Sequence, residues 1–162
     1  LESQTIEMNF QPLRLDALIR DVITRVKARY TNLEIVFNSN SEKIIQGDST
    51  RLAQIFENLF SNAVKYAPAS KIAIAVDNIN SAFVQVTFAD SGAGIPEAHL
   101  LFIFDRFYRV PDHPGKAGTG LGLFICKRII EAHRGKIWAE SEDKKGTCFR
   151  YGRCCKIGCL CF

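Results

Sequence analysis

Gly118-Thr119-Gly120-Leu121-Gly122-Leu123 sets three glycines at alternate positions directly before an apolar helical pattern. Glycine admits φ > 0 and carries no side chain, so such a backbone can wrap closely around a bulky anion. The helix behind it offers unpaired N–H groups and the positive end of its dipole. By itself the stretch fits both a phosphate grip and a plain turn. The pattern Leu121–His133 predicts a helix, stopped by Gly135 at the left-handed cap position.

Upstream, residues Ser91 to Thr119 are rich in glycine and proline, interrupted only by the apolar piece Leu100–Phe107. So long a connection inside a compact domain is usually functional or mobile. Phe102, Phe104, Phe107 and Tyr108 within it suit a small satellite core, and Arg106 and Arg109 between them suit an anion. The loop starts at Asp90-Ser91-Gly92-Ala93-Gly94-Ile95-Pro96, at the end of a β-branched run. Asp-Ser-Gly is common turn chemistry. A carboxylate at a strand end can also select an exocyclic amine, because an ionised Asp only accepts hydrogen bonds.

Asp48 predicts the N-cap of a helix running to about Tyr66 and stopped by Pro68. Its apolar face is Leu52, Phe56, Leu59, Phe60 and Ala63. At about 100° per residue, Asn58, Asn62 and Lys65 fall within roughly 60° of arc, with Tyr66 beside them. Two asparagines one turn apart fit a solvated helix edge. They also fit a hard cation held by amide oxygens, with Lys65 meeting phosphate as a point charge.

The remaining patterns predict strands at Thr5–Gln11, Leu33–Phe37, Lys43–Gln46, Lys136–Glu140 and Thr147–Tyr151, and a helix over Leu15–Tyr30. Lys71–Asp77 and Ala82–Phe88 read as a hairpin. Helices alternating with antiparallel hairpins imply an α+β class, a two-layer sandwich with helices on one sheet face.

A chain of 162 residues is one domain by the usual prior. The net charge of +4 fits a small anionic ligand, and no basic run with interleaved aromatics points to nucleic acid. No apolar run approaches the ~20 residues of a membrane span. Leu1-Glu2-Ser3-Gln4 lacks both a signal-peptide layout and a starting Met, so the expectation is a soluble, cytoplasmic piece of a longer chain. Cys154-Cys155-x3-Cys159-x-Cys161 is not a zinc spacing and reads as an irregular tail.

Taken in order, these signals resemble the boxes of sensor histidine kinases. Asn58-Leu-Phe-Ser-Asn62-Ala-Val-Lys65-Tyr66 resembles the N box, Asp90-Ser-Gly92-Ala-Gly94-Ile95 the first glycine box, Phe104-Asp-Arg106-Phe107-Tyr-Arg109 the F box, and Gly118–Leu123 the second glycine box. The resemblance covers about Leu1 to Phe149. It implies the Bergerat-type ATP-binding sandwich shared with type II topoisomerases, mismatch-repair ATPases and heat-shock chaperones. The sheet would be mixed and mostly antiparallel, with three main helices on one face.

By that resemblance ATP lies between the second helix and a lid at about residues 98–118. Asp90 takes the adenine amino group, Gly94 lets backbone approach the base, and Tyr66 packs near the ring. Asn62 holds Mg²⁺ with Asn58 beside it. Lys65 and the Gly118–Gly122 amides hold phosphates, and Arg106 or Arg109 reaches the terminal one. Gly92, Ile95, Phe107, Thr119, Leu121 and Leu123 complete the implied ATP-binding set.

Hydrolytic relatives carry a Glu where this chain has Asn58. Transfer to a protein acceptor is therefore favoured over hydrolysis, with Asn58, Lys65, Arg106 and Arg109 as the catalytic set, although a hydrolytic ATPase or a non-catalytic nucleotide module remains an alternative. The acceptor of the family is a His followed by Glu on a helical hairpin. His99, His113 and His133 do not fit it, and His133 suits a helix C-terminus instead. The implied partners are that hairpin, belonging to a longer parent, and indirectly a response regulator. The division is residues 1–12 as linker and first strand, 13–151 as the ATP-binding domain, and 152–162 as an atypical tail whose departure from the family pattern predicts a short or frayed last strand. A dinucleotide fold is disfavoured by Leu123 in place of the last glycine. A eukaryotic-type kinase is disfavoured because no Asp-Phe-Gly occurs.

Overall fold

The computed structural model describes residues 7–79, 84–111, 118–141 and 146–153. In chain order these form β1 (Gln11–Arg14), α1 (Leu15–Arg29), β2 (Glu34–Ser39), β3 (Ile44–Gly47), α2 (Ser49–Tyr66), β4 (Lys71–Asn78), β5 (Val84–Asp90), the one-turn α3 (Glu97–Leu100), α4 (Gly122–Ala132), β6 (Lys136–Ser141) and β7 (Thr147–Arg153).

Five strands make one sheet in the order β2-β4-β5-β7-β6, and β1 pairs with β3 in a separate ribbon. β2 and β4 run parallel, joined by a crossover through β3 and α2, and the other pairings are antiparallel. Side chains alternate across a strand. Ile72, Ile74 and Val76 of β4 and Val84, Val86 and Phe88 of β5 are buried, while the residues between them are partly or fully exposed. One sheet face is therefore the core face, and α1, α2 and α4 cover it. The expected α+β sandwich, with a mixed, mostly antiparallel sheet and three main helices on one face, is the observed one.

The helix stripes meet that face. α1 buries Leu15, Ile19, Val22, Ile23 and Val26, and α4 buries Cys126, Ile129 and Ile130. α2 buries the expected face plus Ile55. Phe60 meets Phe88 edge to face at 5.1 Å, tying α2 to the middle of the sheet. At the N-terminus of α2 the Asp48 carboxylate accepts from the Arg51 N–H (3.0 Å) and the Asn9 N–H (2.9 Å). Burial pushes the Asp48 carboxyl up, but these backbone donors outweigh it and hold the group below the ordinary value.

Several sequence expectations move. The first strand is Gln11–Arg14, not Thr5–Gln11: its register is set by four pairs with β3, from Gln11↔Gly47 to Arg14↔Ile44. Residues 1–6 lie outside the described residues. The left-handed residue ending α4 is Arg134 (φ 58), not Gly135. The Arg134 N–H donates to Glu131 O (2.8 Å) and the Gly135 N–H to Ile130 O (2.7 Å), the two bonds of a Schellman turn shifted by one residue.

The last strand is neither short nor frayed. β7 runs to Arg153, in register with β5 over seven residues and bonded on its other side to β6. Backbone ladders need no side-chain alternation, so the departure from the family's pattern does not shorten it. Nor do the loop phenylalanines form one satellite core: Phe104 is buried with Ile103, whereas Phe102 and Phe107 are about half exposed. His113 and the cysteines from Cys154 onward lie outside the described residues.

Candidate active site

A cleft of about 440 Å³ opens between α2, the C-terminal end of β5, the loop segments after β5 and the stretch leading into α4. That is ample for a nucleotide-sized ligand. The helical period brings Asn58, Asn62, Lys65 and Tyr66 to one wall, with Ser61 beside them. Asp90 lines it from the end of β5, and Gly94 and Ile95 from the turn that follows. Gly118, Thr119 and Gly120 before α4 and Gly122 and Leu123 in its first turn line it too, as does Arg109 of the loop after α3.

Four expected residues do not line it. Gly92 packs behind it, where a Cβ would stand 2.4 Å from Ala67 Cβ, so glycine there permits close approach of the turn to the end of α2. Arg106 lies over the exposed Phe107 ring at 4.7 Å, and neither residue borders the cleft. Leu121, just before α4, does not border it either. The physical reason is local: Phe107 has φ 64, a left-handed turn that carries its side chain to the surface.

Asp90 is the only carboxylate lining the cleft among the described residues. Its Oδ1 accepts from the Gly92 N–H (2.9 Å) and the Thr147 N–H (3.4 Å). Burial raises its carboxyl above the ordinary value, against the pull of those two donors. Gly146 makes the arrangement possible, because at φ 95 a Cβ there would stand 2.1 Å from the Asp90 carbonyl oxygen. Gly146 and Thr147 were not among the expected site residues; the one local signal was a glycine before the predicted strand Thr147–Tyr151.

On α2 the two ends of the polar stripe differ. Asn58 donates through Nδ2 to the Gly122 carbonyl (3.2 Å) and to Cys126 Sγ (3.7 Å), both on α4. Lys65 Nζ lies 4.9 Å from the Tyr66 ring centroid, under Gly118, where a Cβ would approach it to 2.5 Å. Glu57 turns away from the cleft and pairs with Arg25 of α1 at 3.5 Å. Tyr108, a second lining residue missed in the sequence, is held by His99 Nδ1 at 2.6 Å from its hydroxyl. No group of three or more His, Cys, Asp or Glu able to hold a metal occurs among the described residues.

The family model described as histidine kinase-, DNA gyrase B-, and HSP90-like ATPase matches residues 47–153. Sensor protein SrrB of Staphylococcus aureus is 38% identical over 151 residues, covering 91% of this chain and 26% of that protein. Adaptive-response sensory kinase SasA of a Synechococcus species is 34% identical, covering 90% of this chain and 40% of that protein. The chain therefore spans well under half of either relative. The catalytic domain of histidine kinase ThkA matches with a TM-score of 0.75 at 34% identity, over 90% of this chain and 95% of that one. ThkA in complex with response regulator protein TrrA matches at a TM-score of 0.71 and 31% identity, over 90% of this chain and 41% of that one. The matches cover the residues that build the cleft, and the chain belongs to the histidine kinase-, DNA gyrase B- and HSP90-like ATPases, as a catalytic domain of the histidine kinase type.

Proposed function

We propose that this chain binds ATP with Mg²⁺ and transfers the γ-phosphoryl group to a histidine on a separate helical hairpin of a longer parent kinase. The observation that carries the reading is the polarity of the cleft. Asp90 of β5 is the one carboxylate lining it among the described residues, and α2 lines it with a stripe of amide and ammonium groups.

Asp90 accepts the adenine amino group through the carboxylate oxygen that Gly92 and Thr147 leave open. Gly92 acts indirectly, by fixing that carboxylate. Gly94 and Ile95 border the base, and Tyr66 packs beside it. Asn62 and Asn58 fit a hard cation, since amide oxygens are the donors Mg²⁺ accepts alongside phosphate and water. When bound, that ion neutralises charge on the phosphates. Lys65 and the amides of residues 118–122 hold phosphate oxygens. Arg109, which lines the cleft where Arg106 does not, is the better placed of the two arginines to meet the terminal phosphate. Residues 98–118 act as the lid, of which 112–117 lie outside the described residues, and residues 13–151 act as the catalytic unit.

Transfer rather than hydrolysis follows from position 58. An asparagine cannot take a proton from water, and Glu57 is engaged with Arg25 on another side of α2. Phosphoryl transfer needs mainly positioning and charge stabilisation, which the remaining groups supply. ATP as donor places the domain in the cytoplasm, and no helix among the described residues is long and apolar enough to cross a membrane. A response regulator would then receive the phosphoryl group from the hairpin histidine.

The test mixes this chain with a separately produced histidine hairpin of its parent and γ-labelled ATP. Label on the hairpin histidine is the expected result. Steady phosphate release at the same rate with or without the hairpin would replace this reading with hydrolysis.

A further inference from the structure

Asn58 has two amide protons and one amide oxygen. Both protons are used on α4: one faces the Gly122 carbonyl at 3.2 Å and the other Cys126 Sγ at 3.7 Å. A carbonyl only accepts, so the nitrogen of Asn58 must face α4 and its oxygen must face away. Cys126 is fully buried, and its own thiol donates to the Ile55 carbonyl of α2 at 3.8 Å. The chain of donors therefore runs from Asn58 through Cys126 back to the helix that carries Asn58.

We propose that Cys126 is a positioning residue which, together with the Gly122 carbonyl, locks the Asn58 amide so that its oxygen is presented to the cation in the cleft. This rests on the reading of Asn58 as a cation-facing residue. A free asparagine side chain turns over its two ends at little cost, and half of its orientations would offer a donor to a cation. Two acceptors on α4 remove those orientations. They also couple the order of the cation site to the seating of α4, whose first residue is Gly122.

The experiment measures ADP affinity of the whole chain by calorimetry, with Mg²⁺ and with EDTA, and takes their ratio. Cys126→Val keeps a packed side chain but offers no acceptor. Its ratio is expected to fall about threefold, the worth of one modest hydrogen bond, with the EDTA affinity unchanged. Cys126→Ser, which can both accept and donate, is expected to recover most of the ratio. In an Asn58→Ala background Cys126→Val is expected to cost nothing further, as a double-mutant cycle requires of a residue acting through its partner. An equal loss in EDTA, or a loss that persists in the Asn58→Ala background, overturns the proposal in favour of simple packing.

Asn58→Ala alone separates the two levels. If it leaves the Mg²⁺ ratio intact, the cation-facing reading fails and the proposal with it. If it lowers the ratio while Cys126→Val does not, the proposal alone fails. Should Cys126→Val not fold, exchange protection of the Asn58 side-chain amide protons decides on the unmodified protein. Slow exchange is expected, and exchange as fast as at an exposed asparagine overturns the lock.

Discussion

The Phe107 N–H donates to the Gly120 carbonyl at 3.0 Å, and both residues have left-handed backbone, φ 64 and φ 68. This bond ties the aromatic segment to the glycine stretch before α4. The two ends have different demands. A Cβ on Gly120 would stand 2.6–2.8 Å from Phe107 backbone atoms, whereas Phe107 carries a bulky side chain in a conformation such residues rarely adopt.

Gly120→Ala is therefore expected to break this contact and weaken ADP binding about tenfold, while far-ultraviolet circular dichroism stays unchanged because the clash is with the backbone of Phe107, which lies in no helix or strand. Phe107→Gly relieves the backbone strain and is expected to raise stability by about 1 kcal/mol, with little direct cost to binding since its ring lies outside the cleft. Calorimetry and urea unfolding check both. A Gly120→Ala variant with wild-type affinity would show that this contact is dispensable.

Asp90→Asn separates stability from recognition. Its oxygen can still accept from the Gly92 and Thr147 N–H groups, but the atom facing the base becomes a donor. Nucleotide affinity is expected to fall at least a hundredfold, as when a buried polar partner is left mismatched. The sign of the stability change is opposite. Burial raises the folded carboxyl above its unfolded value, so this group favours the fold below the unfolded pKa, and that contribution is lost as pH rises through the folded one. The neutral amide escapes this loss, so the nucleotide-free variant is expected to melt no lower than wild type at pH 7.

His133 predicts a second pH dependence of known sign. Its Nε2 accepts from the Asp48 N–H at 3.0 Å and its Nδ1 faces the Ile129 carbonyl at 2.8 Å, so backbone partners on both sides hold the neutral ring. Burial lowers its pKa. Below about pH 6.5 the unfolded chain takes up a proton that the native ring does not. Stability is thus fully present above that pH and falls as pH drops toward the folded pKa. The urea midpoint is expected to decline between pH 7 and pH 5, and His133→Gln to flatten that slope. An unchanged slope in the variant would assign the decline to other groups.

The part of the site that was legible in sequence is the part fixed by local period and local chemistry. Asn58, Asn62, Lys65 and Tyr66 share a wall because an α-helix returns every 3.6 residues. Asp90 ends a strand because glycines follow it. Thr147 was illegible because it reaches Asp90 only through the β5–β7 pairing, 57 residues along the chain. The loop aromatics have no period to read, so nothing local separates buried Phe104 from exposed Phe102 and Phe107. The charged pair Arg25–Glu57 and the His99–Tyr108 contact are likewise matters of tertiary approach.

The end of α4 shows how one residue of register carries an energetic consequence. The Schellman turn places Arg134, not the adjacent Gly135, at φ 58. A side chain in that region costs roughly 1–2 kcal/mol, which glycine avoids. Arg134 is exposed, so replacing it opens no hole in the core, although any contact its side chain makes is lost. The turn's two bonds are made by backbone N–H groups and survive the change. Arg134→Gly is therefore expected to raise stability by about 1 kcal/mol, seen as a melting temperature roughly 2–4 °C higher for a domain of this size. Gly135→Ala tests the complementary point, because Gly135 does not sit at positive φ. It is expected to be near neutral. If Gly135→Ala destabilises more than Arg134→Gly stabilises, the left-handed position has been placed on the wrong residue.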